Sequence, residues 1–287
     1  MDAILLACGS AALFGAMTVL LRVALRAGAS AEAGTLATVL TALVVLGINV
    51  ASRGEWELQR AWPFLVAGVL APGCSQILFT AAIRDVGASR ASVTIGTAPL
   101  FAVAIALVFL GEPVIVVVVA GAVLVVIGGA LLLSERRRPE HFHLAGLGLA
   151  LAATVIFATR DSLIRRLGTH ATHVEPGLAA FATMISGFAT LTVFALLRKR
   201  PVQLGSLAAF VPAGLCFGLS YILLFEAFYR GRVSVVSPFV ATETIWAVGL
   251  STIFLRQESG SRRSSCGRSS WAAGCCSGPL SSSRAAC

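Results

Sequence analysis

The sequence predicts an all-α integral membrane protein made of two inverted five-helix repeats, with nine clear transmembrane helices and a tenth that is degraded or frame-shifted. Three observations carry this: a composition that water cannot accommodate, a series of apolar runs of membrane-spanning length, and an internal repeat at a nearly constant offset. Of 287 residues, 57% are hydrophobic and 12% charged, with a mean hydropathy of +0.89, against about a quarter charged in a soluble domain. Such a chain cannot hide its apolar surface inside a water-facing globule, so lipid must be the solvent for most of it.

A bilayer core of about 30 Å takes roughly 20 apolar helical residues per crossing. Runs of that kind centre near Leu13, Val39, Leu70, Val103, Val123, Leu151, Ala189, Leu219 and Val248. Short loops hold nearly all the charge. The first run begins almost at Met1, lacks a basic leader and is followed by Arg22, so it reads as a retained span and not a cleaved signal.

The repeat explains the odd count. Residues 75–111 align with 220–256 without a gap at an offset of 145, pairing Ser75 with Ser220, Ala82 with Ala227, Ser89 with Ser234, Thr97 with Thr242 and Val103 with Val248. Around the first span the offset is 143, pairing Phe14 with Phe157 and Arg22 with Arg165. The expected division is a first repeat over 1–135, a second over 136–258 with a junction at 134–142, and an aberrant tail at 259–287. An odd number of crossings per half turns the second half upside down, the inverted design of secondary transporters that hold substrate near the midplane.

The tail is where the repeat fails. Span five should reappear near 259–279, yet that region is rich in Ser and Cys, and four of the seven cysteines fall in the tail 259–287. Arginine outnumbers lysine 21 to one, the mark of a GC-rich gene, and plausible codons for "SSWAAGCCSG" read in another frame encode an apolar span. A changed frame, a disordered cytosolic tail and a divergent Gly/Cys-rich segment all remain open. No C-x-x-C or His spacing makes these cysteines a disulfide or zinc framework.

The five-plus-five design and the segment 88–113 resemble the EamA-like branch of the drug/metabolite transporter superfamily. The residues that carry the likeness are Ala88 and Ser89, "APLF" at 98–101 and "LGE" at 110–112. It implies a ten-helix fold in the cell membrane that moves amino acids, metabolites or cationic drug-like solutes, often in exchange for protons or a second solute. The cargo does not follow, because one architecture serves many. The missing last helix puts activity in doubt.

Arg160 and Asp161 stand side by side inside an otherwise apolar span. A charge near mid-helix costs about 2.5–3.5 kcal/mol on insertion scales, so two in succession demand partners or a wet interior. Adjacent helical side chains diverge by about 100°, so the pair is expected to look elsewhere, Arg160 to Glu243 or Glu226, leaving another carboxylate free to carry a proton. A static ion pair locking helices together is the alternative. Gln76 and Tyr221 are repeat-equivalent candidates for bonding a solute or another helix. Phe14 and Phe157 are equivalent aromatics facing either the interior, as the resemblance implies, or lipid. Pro72, Gly73 and Pro99 break helical hydrogen bonding and either expose carbonyls to a path or merely fit neighbours. Glu112 before Pro113 reads as the start of the next helix, its carboxylate meeting that helix's dipole.

His141, His143, His170 and His173 lie in loops and form no metal motif. The absence of H-E-x-x-H, G-x-S-x-G and GKS argues against a protease, a hydrolase or an ATP-driven pump. No cofactor is expected. The net charge of +9 reflects loop arginines at anionic headgroups and no nucleic-acid partner. The expected partners are the lipid bilayer and a small-molecule substrate, with monomer and homodimer both open. Loops after odd-numbered spans up to the seventh hold ten Lys/Arg against six on the other side, which weakly favours an external N-terminus, whereas the resemblance implies an internal one. Three functional classes follow: a gradient-driven exporter or exchanger, an inactive pseudo-transporter or membrane scaffold, and, least supported, an integral membrane enzyme.

Overall fold

Hydrocarbon offers the backbone no hydrogen-bond partners, so a chain crossing it must satisfy its own N–H and C=O groups within helices. The computed structural model shows this throughout. It describes residues 1–26, 31–54, 56, 59–86, 94–113, 115–133, 144–171, 174–197 and 204–251. The junction at 134–142, the pair Ala88–Ser89, His141, His143, His173 and the tail 259–287 lie outside the described residues. No strand occurs among the described residues.

The chain divides into two units, Met1–Val248 and Gly249–Cys287. Of the second, residues 249–251 are described, and they are helical. The first unit contains α1 (Asp2–Arg26), α2 (Ala31–Arg53), α3 (Trp62–Gly68), α4 (Ser75–Val86), α5 (Ala98–Phe109), α6 (Val116–Leu133), α7 (Leu144–Arg166), α8 (Pro176–Leu197), α9 (Val211–Arg230) and α10 (Val233–Val240). Seven segments among the described residues are long and apolar enough to cross a membrane, from Asp2–Leu25 to Val233–Ser251, and two apolar helices, Ala98–Phe109 and Val119–Gly128, are shorter. Together they occupy the nine apolar runs of the sequence.

Two expected breaks take defined forms. Between α3 and α4, Ala71 adopts extended geometry (φ −147°, ψ 121°) before a cis Ala71–Pro72 bond. Ala71, Pro72 and Gly73 are buried, and the break packs on α8, so it fits a neighbouring helix. In the fourth span the helix stops at a turn over 96–97 and restarts as α5, with Pro99 in its first turn. That is why this apolar helix is short.

The turn recurs. Thr97 donates from Oγ1 to Thr94 O at 2.6 Å, and its N–H meets the same carbonyl at 3.1 Å. At an offset of 145, Thr242 donates from Oγ1 to Phe239 O at 2.6 Å and from its N–H at 3.1 Å. This turn covers 241–242, after which residues 243–248 are helical again.

Packing between helices follows an exchange pattern. α1 packs on α9 and α4 on α7; α2 packs on α9 and α3 on α8; α5 packs on α7 and α1 on α10; α2 meets α8, and α5 meets α10. Swapping each span with its counterpart five spans later maps this set of contacts onto itself. Serine chemistry follows the pattern only in part. Ser10 and Ser220 donate reciprocally to each other's carbonyls at 3.0 Å. Ser75, the counterpart of Ser220, has a buried hydroxyl without a partner among the described residues, because Ala153 replaces Ser10 at the equivalent place and has no hydroxyl to offer.

Close approach of helices rests on small residues at matching positions. A Cβ at Gly218 would lie 2.8 Å from Val45 Cβ, and one at Gly73, its counterpart, 3.0 Å from Thr190 Cβ; Val45 and Thr190 are themselves 145 apart. Gly218→Val is therefore expected to overpack the α2–α9 contact and destabilise by about 1–3 kcal/mol. Val45→Ala should restore much of the loss. Thermal unfolding in detergent of the parent, the single and the double variant tests this; an unchanged midpoint for Gly218→Val would show that the contact is slack.

Candidate functional site

The site grows from α7. One face of this helix brings Phe157, Arg160 and Asp161 into the bundle, with Arg160 6% and Asp161 8% exposed. Arg160 donates to Asp161 Oδ1 from both Nε (3.0 Å) and Nη2 (2.6 Å), and from Nη1 to the Tyr221 hydroxyl at 2.8 Å. All three guanidinium nitrogens are thus engaged. The guanidinium lies 5.7 Å from the Phe157 ring centroid and 5.6 Å from that of Tyr221, in the range of cation–π attraction.

Two expectations are corrected here. Arg160 and Asp161 do neutralise each other, because the divergence of neighbouring Cβ directions is overcome by the reach of arginine, whose stem curls back to set its fork on the next carboxylate. Glu226 is not Arg160's partner. It sits near the last turn of α9 and pairs with Arg230 at 2.8 Å and with Arg53 at 3.8 Å, where charges at a helix end hold one another.

Tyr221 is 2% exposed and stands in an aromatic sleeve. Phe217 and Phe225 on α9 approach it at centroid distances of 4.8 and 5.8 Å, and Phe14 of α1 meets it edge-on at 6.1 Å. Phe14 and Phe157 therefore both face inward. The sequence reading missed Phe217 and Phe225; their spacing of four on either side of Tyr221 places all three on one helical face and is the signal that was available. Gln76, the counterpart of Tyr221, lies half-buried on α4 and already has a partner.

Glu243 is half-buried at the first helical residue after the 241–242 turn. Its first-half counterpart is Ala98, the first residue of α5. Glu243 interacts electrostatically with both Arg160 and Asp161, yet its carboxylate accepts no hydrogen bond among the described residues. Gly15 lets α1 come close at this level: a Cβ there would lie 2.7 Å from Trp246 Cβ and 3.0 Å from Glu243 O. The structure thus gathers Phe14, Phe157, Arg160, Asp161, Tyr221 and Glu243, and leaves Glu226 apart at the end of α9.

That end of the bundle carries a second polar group. Glu112 does not start its own following helix. Its Oε1 accepts from Val233 N–H at 2.9 Å, and its Oε2 from Ser234 N–H at 3.0 Å and Ser234 Oγ at 2.5 Å. The expected attraction of a carboxylate to a helix N-terminus is present, but the helix is α10, because α6 begins only at Val116. Nearby, Arg165 donates from Nη1 to Phe228 O (3.0 Å) and Tyr229 O (2.6 Å), the last carbonyls of α9.

Comparison with known families matches the EamA-like transporter family twice, over residues 1–134 and 144–263. The chain belongs to the EamA-like transporter family. It is accordingly a multi-pass membrane protein of the drug/metabolite transporter type. A solved structure, titled only "Crystal structure of protein", is similar with a TM-score of 0.69 at 20% identity, over 85% of this chain and 88% of that one; the likeness is one of fold. Comparison with curated proteins gives no match. In this EamA-like chain the glutamate of "LGE" has a physical role, since it bonds Ser234.

Removing either partner of Arg160 has a graded cost. Asp161→Asn leaves a buried guanidinium without its counter-charge and is expected to destabilise by about 3–5 kcal/mol. Tyr221→Phe deletes one hydrogen bond to a charged group, worth about 1.5–3 kcal/mol. Equilibrium unfolding in detergent should rank the parent above Tyr221→Phe and that above Asp161→Asn; the reverse order would place the charge compensation elsewhere.

Proposed function

We propose that this chain is a gradient-driven secondary transporter, an exporter or exchanger of small metabolites or drug-like solutes, coupled to protons through Glu243. Two inverted halves, 1–135 and 136–258, enclose the pathway. The twofold family match, the contacts that map onto themselves on exchange of halves and the twin turns at Thr97 and Thr242 all support the two-half reading.

One observation carries the coupling: the charge balance of the buried cluster. Arg160 and Asp161 cancel, and Arg160 has every nitrogen engaged. An ionised Glu243 leaves the group with one uncompensated negative charge, and such a charge costs about 2.5–3.5 kcal/mol at the centre of a bilayer on insertion scales. A proton on Glu243 removes it. Loading that carboxylate with a proton on one side and releasing it on the other is the elementary step of a proton-driven exchange, and the aromatic rings of Phe14 and Phe157 supply apolar surface for a solute beside it.

An inactive scaffold is the second reading. It rests on the tail, where Ser and Cys stand in place of the apolar run that the repeat requires for a tenth span.

Purified protein in proteoliposomes, given a panel of amino acids and organic cations under an imposed pH gradient, tests the proposal. The parent should accumulate at least one solute against its gradient. Glu243→Gln should remain folded and exchange solute downhill while losing the response to pH. Loss of folded protein in Glu243→Gln would instead mark the glutamate as a structural lock, and absence of flux for every solute in the parent would favour the scaffold.

A further inference from the structure

Glu112 closes more than a helix end. It follows α5, and it reaches α10 on the opposite side of the repeat alignment. Both helices are outer segments of interrupted spans. α5 runs from the turn at 96–97 out to Phe109, and α10 runs inward from Val233 to the turn at 241–242. The two segments pack on each other. Each is therefore attached to the interior by a Thr-capped turn, α5 leaving its turn and α10 entering its own, and the two meet at the outer tip.

Alternation of the spans places these tips at the end of the bundle that also carries Asp2, the last residues of α2, the start of α8 and the last residues of α9. There, Arg53 of α2 lies 3.8 Å from Glu226 and 3.9 Å from Glu175. Those pairs are long and share a solvent-exposed Arg53, and such pairs are individually weak. Glu112 differs: both of its oxygens are used, by two backbone N–H groups and a hydroxyl, and bonds of this charge-assisted kind are the strong ones.

We infer that Glu112 is the gate latch of this end: α5 and α10 are two flaps hinged at Thr97 and Thr242, and the Glu112 clasp on Val233 and Ser234 holds their tips together. The inference rests on the transport reading but concerns a different residue. Glu243 occupies the first position beyond the α10 hinge, so a change in what the central carboxylate carries acts at the pivot of one flap. A clasp of this sort is bistable, because Ser234 is bonded when the flaps meet and water replaces Glu112 when they part.

Ser237 reports on the latch. It is buried one turn deeper than Ser234 on α10, so a thiol placed there is shielded while the tips are closed. In the full-length chain carrying Ser237→Cys, the rate of modification by a membrane-impermeant methanethiosulfonate is followed by site-resolved mass spectrometry, which separates it from the native cysteines. Adding Glu112→Gln should raise that rate about tenfold by shifting the closed–open equilibrium. Glu112→Asp, which keeps the charge and shortens the reach, should fall between and serves where the Gln variant folds poorly. Unchanged labelling with a lower melting temperature would make Glu112 a helix cap alone and overturn the inference. Labelling that responds to Glu112 in a protein without solute flux would leave the latch standing and count against transport.

Discussion

The costliest feature of this bundle is an ion pair inside hydrocarbon. A guanidinium and a carboxylate on adjacent residues of α7 must be withdrawn from lipid together, and the surroundings are organised to permit it. Asp161 takes two of the donors and Tyr221 takes a third, while the rings of Phe157 and Tyr221 lie beside the guanidinium. Desolvating two charges costs several kcal/mol each, and their attraction repays it only with good geometry and further hydrogen bonds. Tyr221 in turn depends on Phe217, Phe225 and Phe14 to fix its ring. The identity of several residues on three helices follows from that one requirement.

Symmetry and chemistry divide the labour. Backbone features recur at an offset of 145: the Thr97 and Thr242 turns, and the Gly73 and Gly218 contacts. The ionisable residues of the buried cluster do not recur. Arg160 and Asp161 align with Met17 and Thr18, Glu243 with Ala98, Glu226 with Ala81, and Tyr221 with Gln76. On the proposed two-half reading the scaffold supplies two similar turns, whereas one charged cluster in a narrow interior avoids setting like charges against one another.

Much of the fold was legible because lipid imposes so few solutions. Apolar runs of bilayer length mark helices, and a nearly constant offset points to a repeat even when each pairwise match is weak. What the sequence concealed was contact between distant residues. The pairing of Thr97 with Thr242 was visible, but not that both residues stop a helix, since a hydroxyl that turns back on the carbonyl three residues earlier has no signature in hydropathy. The Arg160–Asp161 pair was misread because Cβ directions were weighed and side-chain length was not. Glu112 was assigned to the right chemistry and the wrong helix: its neighbour in sequence is Pro113, whereas its neighbours in space, Val233 and Ser234, are 121 and 122 residues away.

The interrupted spans deserve the same physical question as the charges, since a broken helix in hydrocarbon leaves backbone groups without partners unless something nearby receives them. Here side chains and turns supply most of what is lost. Thr97 and Thr242 return their hydroxyls to the carbonyls of Thr94 and Phe239, and Thr154 of α7 adds a further donor to Thr94 O at 3.3 Å. The counterpart of Thr154 is Ala11, which has no hydroxyl to bring to Phe239 O. The second turn therefore lacks this tie to a neighbouring helix, and it is the one beside Glu243. A turn without that interhelical bond, next to a carboxylate that accepts no hydrogen bond among the described residues, is where a change of one charge has leverage on the position of a helix.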